Sequence, residues 1–228
     1  MNQHYTYLLI LGLSIAGPLT LSFDNKVGFY KKWKQLCLGM ILPAVFFIIW
    51  DIIFTKKNVW SFNSDFILGY KLSVLPLEEI LFFFVVPYCC IFIYECIKCY
   101  FPALQNERVS KIIFCALGAA LLFASFFWHD RAYTFWTFIF TAILIFCVCG
   151  IKSIATVNIT VFLISYLIIL LPFLAVNGIL TSLPVIIYNN SQNLGIRVLS
   201  IPFEDVFYGM LLFLMNAVIY ERLLLMRT

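Results

Sequence analysis

Long apolar runs separated by short polar clusters set the pattern of this chain. A segment needs about 20 apolar residues to cross the hydrocarbon of a bilayer. Seven runs qualify: 4–22, 35–54, 75–97, 112–128, 133–150, 157–176 and 202–221. The fourth and fifth are short, and the tight polar turn His129-Asp130-Arg131 divides them. Lipid offers the backbone no hydrogen-bond partner, so open spans must be helices. The pattern predicts an all-α polytopic membrane protein of seven transmembrane helices. The N-terminus lacks a basic leader, and its first run is long enough to stay in the membrane, so no cleaved signal peptide is expected.

Two of the runs open on acids, and they do so in the same words. Pro76-Leu77-Glu78-Glu79 begins the third, which continues to Tyr94-Glu95. Pro202-Phe203-Glu204-Asp205 begins the seventh, which continues to Tyr220-Glu221. The offset is 126 residues without a gap, and it also pairs Asp51 with Asn177, Asn63 with Asn189, Gly69 with Gly195 and Lys71 with Arg197. The chain is therefore two copies of one unit. Helices one to three (residues 1–99) form the first repeat and helices five to seven (130–228) the second, with a connector helix in 100–129. Three helices plus one connector return the second copy in the same orientation, so the repeats are parallel, related by an axis near the membrane normal.

Composition agrees with lipid as the solvent. The 228 residues are 64% hydrophobic and 11% charged with mean hydropathy +1.01, where soluble domains carry about a quarter charged residues. A net charge of +4 does not point to nucleic acid. The basic residues instead report topology. Lys56, Lys57, Lys71, Arg131 and Arg197 fall on the N-terminal side; Lys26, Lys31, Lys32, Lys34, Lys98, Arg108, Lys111, Lys152, Arg222 and Arg227 fall on the other. Five against ten predicts an outside N-terminus and a cytoplasmic C-terminus in the cell (inner) membrane. The eight cysteines are scattered through spans and read as small apolar filling. Cys96-Ile97-Lys98-Cys99 has no second pair, so zinc is not expected, and no dinucleotide or phosphate-loop fingerprint asks for a cofactor.

Proline at a helix start with acids in the first turn is ordinary helix chemistry. It does not account for a doubled acid pair, twice, with Asp51 and Asn177 at a similar depth. Ionisable groups in spans are costly and mark function. Glu78, Glu79, Glu204 and Asp205 are the candidate proton-transfer groups, with Asp51 and Asn177 as supporting partners. Lys71 and Arg197 either anchor the interface or pair with the acids. Glu95 and Glu221, at the opposite end, are either end markers or functional groups. Phe and Tyr are abundant, 25 and 12, and exceed what interfacial belts require; Phe82 and Tyr208 are candidate cavity-lining residues. Carboxylic acids in an aromatic, water-poor cavity suit proton-initiated chemistry on a hydrocarbon. One acid protonates an alkene, a neighbouring carboxylate stabilises the cation or takes a proton back, and aromatic faces stabilise positive charge without attacking it. Adjacent helical residues point about 100° apart, so one acid of each pair should face the cavity. Glu78→Gln and Glu204→Gln are expected to abolish the chemistry, and the choice between Glu78 and Glu79 as donor stays open.

Pro76-Leu77-Glu78-Glu79-Ile80-Leu81-Phe82-Phe83 with Tyr94-Glu95 resembles the first signature of the membrane-integral lycopene cyclases, the bacterial heterodimeric type and its fused forms, including the fungal cyclase domain. Gly195-Ile196-Arg197, Ile201-Pro202-Phe203-Glu204-Asp205 and Asn216 with Tyr220-Glu221 resemble the second, and Pro172-Phe173-Leu174-Ala175-Val176-Asn177-Gly178 a further phrase. The resemblance covers nearly the whole chain, with both cyclase units fused. It implies cyclisation of the ψ ends of lycopene, or a related linear carotenoid, to β-ionone rings. No cofactor and no net redox change are implied, and other carotenoid-pathway enzymes are possible partners. The second pair departs from the first, Glu-Asp for Glu-Glu, leaving open whether the copies share one task. A related carotenoid hydratase and a small proton-coupled transporter are the alternatives. A retinal protein is disfavoured because no Lys follows Lys152, and a prenyltransferase because Thr55 stands where a second diphosphate-binding Asp would be.

Overall fold

A computed structural model describes residues 3–104, 107–152 and 154–227; Met1, Asn2, Gln105, Asn106, Ser153 and Thr228, within the three segments expected above, lie outside the described residues. The seven expected spans are seven helices: α1 (Thr6–Leu21), α2 (Trp33–Lys56), α3 (Leu77–Tyr100), α4 (Arg108–Phe127), α5 (Ala132–Gly150), α6 (Ile159–Ser182) and α7 (Phe203–Leu225). Each is long and apolar enough to cross a membrane, and the protein is a multi-pass membrane protein. The end of the bundle where α3 and α7 begin is called the acid end below, and the opposite end the basic end.

Helix α6 runs six residues past its expected limit at 176. The polar Asn177-Gly178 reads as a stop in sequence, but the ladder absorbs it. The Asn177 side-chain amide donates to the Phe173 carbonyl, and the Thr181 hydroxyl to the Asn177 carbonyl. Asn177 thus sits inside a helix rather than at its end.

Six very short strands cap the acid end, which the apolar pattern did not reveal. They are β1 (Trp60–Phe62), β2 (Lys71–Leu72), β3 (Leu75–Pro76), β4 (Ile186–Tyr188), β5 (Arg197–Val198) and β6 (Ile201–Pro202). The hairpin β2–β3 pairs Lys71 with Pro76 and Leu72 with Leu75; β5–β6 pairs Arg197 with Pro202 and Val198 with Ile201. The two hairpins are one structure built twice. Each is preceded by a glycine at positive φ, Gly69 at 89° and Gly195 at 73°, a conformation that side chains disfavour.

Strands β1 and β4 join the two copies. Their antiparallel register is Trp60 with Tyr188, Ser61 with Ile187 and Phe62 with Ile186. The 126-residue offset carries Trp60 onto Ile186 and Phe62 onto Tyr188. Exchanging the copies therefore maps this sheet onto itself, with the two-fold axis through the Ser61–Ile187 pair. The parallel relation of the repeats is written in that register.

The helices interleave about the same axis. α3 and α7 stand at the centre; α1 packs on α3 as α5 packs on α7. α2 packs on α7 of the other copy, as α6 packs on α3. The connector α4 lies outside, against α5. Gly118 permits that approach, since a Cβ there would meet the Ile145 Cγ2 at 2.9 Å.

Candidate active site

The site forms where the hairpins deliver α3 and α7 into the membrane. Pro76 and Pro202 end their strands in extended backbone, and the helices begin at the next residue. The acids fall in the first turn, and helical geometry separates the two members of each pair. Glu78 and Glu204 turn outward, toward the loops of their own copies. Glu78 Oε1 accepts the backbone N–H of Leu68 at 2.6 Å. Glu204 Oε1 accepts that of Leu194 at 2.6 Å and the Thr134 hydroxyl at 2.5 Å. Both are fully buried. Leu68 and Leu194 are themselves 126 residues apart, so this brace is repeated too.

Glu79 and Asp205 turn inward, onto a cavity of about 50 Å³ between α2, α3, α6 and α7. Asp51 and Asn177 face the same cavity from α2 and α6, and Phe82 and Tyr208 line it. The structure thus brings six of the expected residues to one cavity, Asp51, Glu79, Phe82, Asn177, Asp205 and Tyr208, and leaves Glu78 and Glu204 behind its wall. The cavity wall carries the second acid of each pair. The inward acids are thus Glu79 and Asp205, while Glu78 and Glu204, where the sequence alone put the first substitutions, face the loops.

A hydrogen-bonded chain runs around the cavity. Tyr7 donates to Glu79 Oε2 at 2.6 Å, and Tyr208 to Asp51 Oδ1 at 2.6 Å. The carboxyls of Asp51 and Glu79 face the same cavity beside these phenols. Asp205 is held differently. Tyr133 donates to its Oδ1 at 2.5 Å and Tyr188 to its Oδ2 at 2.9 Å. Both oxygens are thus occupied by phenols, as suits an ionised group. Burial and the adjacent Asp205 carboxylate push the Tyr188 phenol well above the ordinary tyrosine range, which keeps it protonated as a donor. Tyr188 lies on β4, outside the spanning helices.

Sequence reasoning missed Tyr7, Tyr133 and Tyr188. The offset could have found the first two: they are 126 residues apart, and each donates to the inward acid of its own copy. The β1–β4 sheet covers the cavity with Trp60, Phe62, Ile186 and Tyr188. The aromatic wall continues through edge-to-face contacts of Tyr208 with Phe47, Trp50 and Trp60, at ring separations of 4.9–6.3 Å. Quadrupoles so arranged suit positive charge.

The basic pair divides. Lys71 is exposed on β2 and makes no ion pair among the described residues. Arg197 donates to Asn190 Oδ1 at 2.5 Å and lies over the Tyr188 ring at 5.5 Å, the ring whose hydroxyl holds Asp205. At the basic end, Glu95 pairs with Lys32 and Lys98 and accepts from Tyr220 at 2.9 Å, and Lys98 reaches Glu221 at 2.5 Å. This cluster lies about 24 Å from the cavity, sixteen residues down α3.

The described residues contain no group of three or more His, Cys, Asp or Glu side chains suited to a metal. The eight cysteines are free thiols.

Comparison with known proteins reaches the same copies. The family model described as lycopene cyclase matches residues 4–97 and again 130–223. A bifunctional lycopene cyclase/phytoene synthase of Phaffia rhodozyma is 33% identical over 92 residues, covering 36% of this chain and 13% of that protein. The chain thus spans a small part of that relative's length. No solved structure matches. With both repeats matched, and one acid-lined cavity between them, this chain belongs to the lycopene cyclase family, a family of carotenoid cyclases.

Proposed function

We propose that this protein is a lycopene β-cyclase that closes a ψ end of lycopene, or of a related linear carotenoid, into a β-ionone ring. The observation that carries the proposal is the meeting of Asp51, Glu79 and Asp205 at one cavity walled by aromatics.

The reaction needs an acid, a shielded cation and a base. In this reading the Asp51–Glu79 pair carries the proton and donates it to the terminal alkene. The tertiary cation formed is attacked by the nearby double bond, which closes a six-membered ring and moves the charge onto it. Loss of a ring proton regenerates an alkene. One proton enters and one leaves, so the product is an isomer and no electrons are exchanged. Asp205 is the acceptor, or the counter-charge, because two phenols donate to its oxygens and so favour a carboxylate there. Asn177 occupies the place of Asp51 in the second copy and cannot share a proton with Asp205 in the same way. The two acids thereby differ in task although the fold repeats. Trp60, Phe82 and Tyr208 stabilise the cation, and the β1–β4 cover keeps out the water that would hydrate it.

The fifteen basic residues support an orientation with the acid end facing away from the cytoplasm, five lying at that end and ten at the other.

Expression in lycopene-producing cells tests the function. Red pigment should turn orange to yellow, and purified protein in liposomes should convert lycopene to ringed isomers without added nucleotide. Hydroxylated product would indicate a hydratase instead, and unchanged lycopene would reject the reading.

A further inference from the structure

The two flanks of the cavity are not alike, although the repeat makes them equivalent in backbone. On the first flank α2 lies close along α3. There Phe47 stacks on Phe83 at 5.6 Å, and both are fully buried. The offset carries Phe47 onto Phe173 and Phe83 onto Gly209. On the second flank, therefore, α6 faces α7 with one ring where the first flank has two. α6 and α7 touch little, and Phe173, Asn177 and Gly209 are only half-buried.

The gap is framed above and below. Toward the acid end, Thr181 and Ser200 join their hydroxyls at 2.6 Å, and Ser200 donates to the Gly178 carbonyl at 3.2 Å. Toward the basic end, Phe162 stacks on Phe213 at 4.6 Å. Between the two lies a window whose inner side is the cavity of Glu79 and Asp205 and whose outer side is lipid.

The cavity is small, about 50 Å³, and a bulky end group enters most readily past a side chain that can move. The rings on the first flank are locked by packing. Phe173 is the one that can yield, because it rests on Gly209, whose missing Cβ would meet the Phe173 Cε2 at 3.5 Å.

We infer that the α6–α7 window is the lateral mouth through which one end of a long linear hydrocarbon enters from the bilayer, with Phe173 as its movable door and Gly209 as its sill. The inference rests on the cyclase reading for the identity of the hydrocarbon. It makes position 209 a determinant of access, distinct from the acids. An apolar groove of about 280 Å³ between α2 and α5, lined by Phe46, Ile49, Ile53 and Trp136, is a rival entrance, but Trp50 and Tyr208 close it off from the acids.

The test uses full-length protein in phosphatidylcholine nanodiscs loaded with lycopene, reading cyclisation rate and quenching of tryptophan fluorescence, since Trp60 lines the cavity. Gly209→Phe, which gives the second flank the residue of the first, should lower kcat/KM about 10–100-fold, the scale of overpacking a filled site. Adding Phe173→Ala should restore most of that loss, which a folding defect would not permit. Ile49→Phe, filling the rival groove, should leave both readouts unchanged. Normal kinetics for Gly209→Phe, failure of the rescue, or loss on Ile49→Phe would overturn the mouth. Were the native chain inactive on lycopene, the cyclase reading would fail separately, and binding would decide: quenching lost in Gly209→Phe alone supports the window, while equal quenching in all variants, or none in the native chain, rejects it.

Discussion

Glu78 and Glu79 are adjacent and both buried, yet one faces a loop and the other the cavity, and isosteric substitution separates them. In Glu79→Gln the new amide still accepts from Tyr7, so packing is kept while the titratable proton is lost. Removing a general acid lowers a rate about 10²–10⁴-fold, with the melting temperature nearly unchanged. In Glu78→Gln the carbonyl still accepts from Leu68 N–H, but the buried second oxygen, without a partner among the described residues, becomes an unsatisfied amide donor. That cost is about 1 kcal/mol, which for a chain of this size is about 2–4 °C in Tm. Activity should then fall only as far as the brace loosens, within about a factor of ten. The assay is lycopene turnover in liposomes alongside thermal unfolding of the same preparations. Equal loss of activity in the two variants at native Tm, or near-native turnover in Glu79→Gln, would refute the assignment of the cavity acid as donor.

Asp51→Asn should be far more damaging than Asn177→Asp, since it removes one holder of the shared proton; turnover of the two variants at matched protein levels decides it. Tyr133→Phe and Tyr188→Phe each strip one donor from Asp205, and together should shift the acid-side midpoint of the pH–rate profile upward, because a carboxylate with fewer donors holds its proton to higher pH. Glu95→Gln should lower Tm while leaving the turnover of surviving protein unchanged, because it breaks a buried ion cluster about 24 Å from the cavity. A reporter joined beyond the basic end of α7 should be active only in the cytoplasm, and periplasmic activity would reverse the proposed orientation.

The seven spans were legible because lipid leaves the backbone one choice, and an uninterrupted apolar run records it. The repeat was legible because the acid phrases survive without a gap. The site was legible as a depth but not as a direction. Glu78 and Glu79 differ by one residue, and only the Leu68 amide, presented by a loop ten residues upstream, decides which of them turns away. Tyr7 and Tyr133 look like interfacial tyrosines in sequence. Their meaning appears once each is seen to donate across 72 residues to the inward acid of its own repeat. The β1–β4 sheet was invisible for another reason. Three-residue strands carry almost no periodicity, and their pairing joins segments 128 residues apart at the Trp60–Tyr188 rung.

The repeat and its breaks have opposite functions. Two-fold repetition brings two helix starts to one point and so concentrates carboxyls that no single helix could place together. A strictly symmetric site, however, would hold two equal acids and two equal flanks. Proton-initiated cyclisation needs a donor and an acceptor that differ at the same moment, and a hydrocarbon needs an opening that water does not share. Asp51 against Asn177 supplies the first difference: one acid gains a partner to share its proton, while the other is left to its phenol donors. Phe83 against Gly209 supplies the second, sealing one flank with a ring pair and leaving the other a single ring over a glycine. Both differences fall on positions that the 126-residue offset aligns, within a scaffold whose hairpins, braces and tyrosine donors stay paired. In this chain, the residues to examine first are the cavity positions at which the copies disagree.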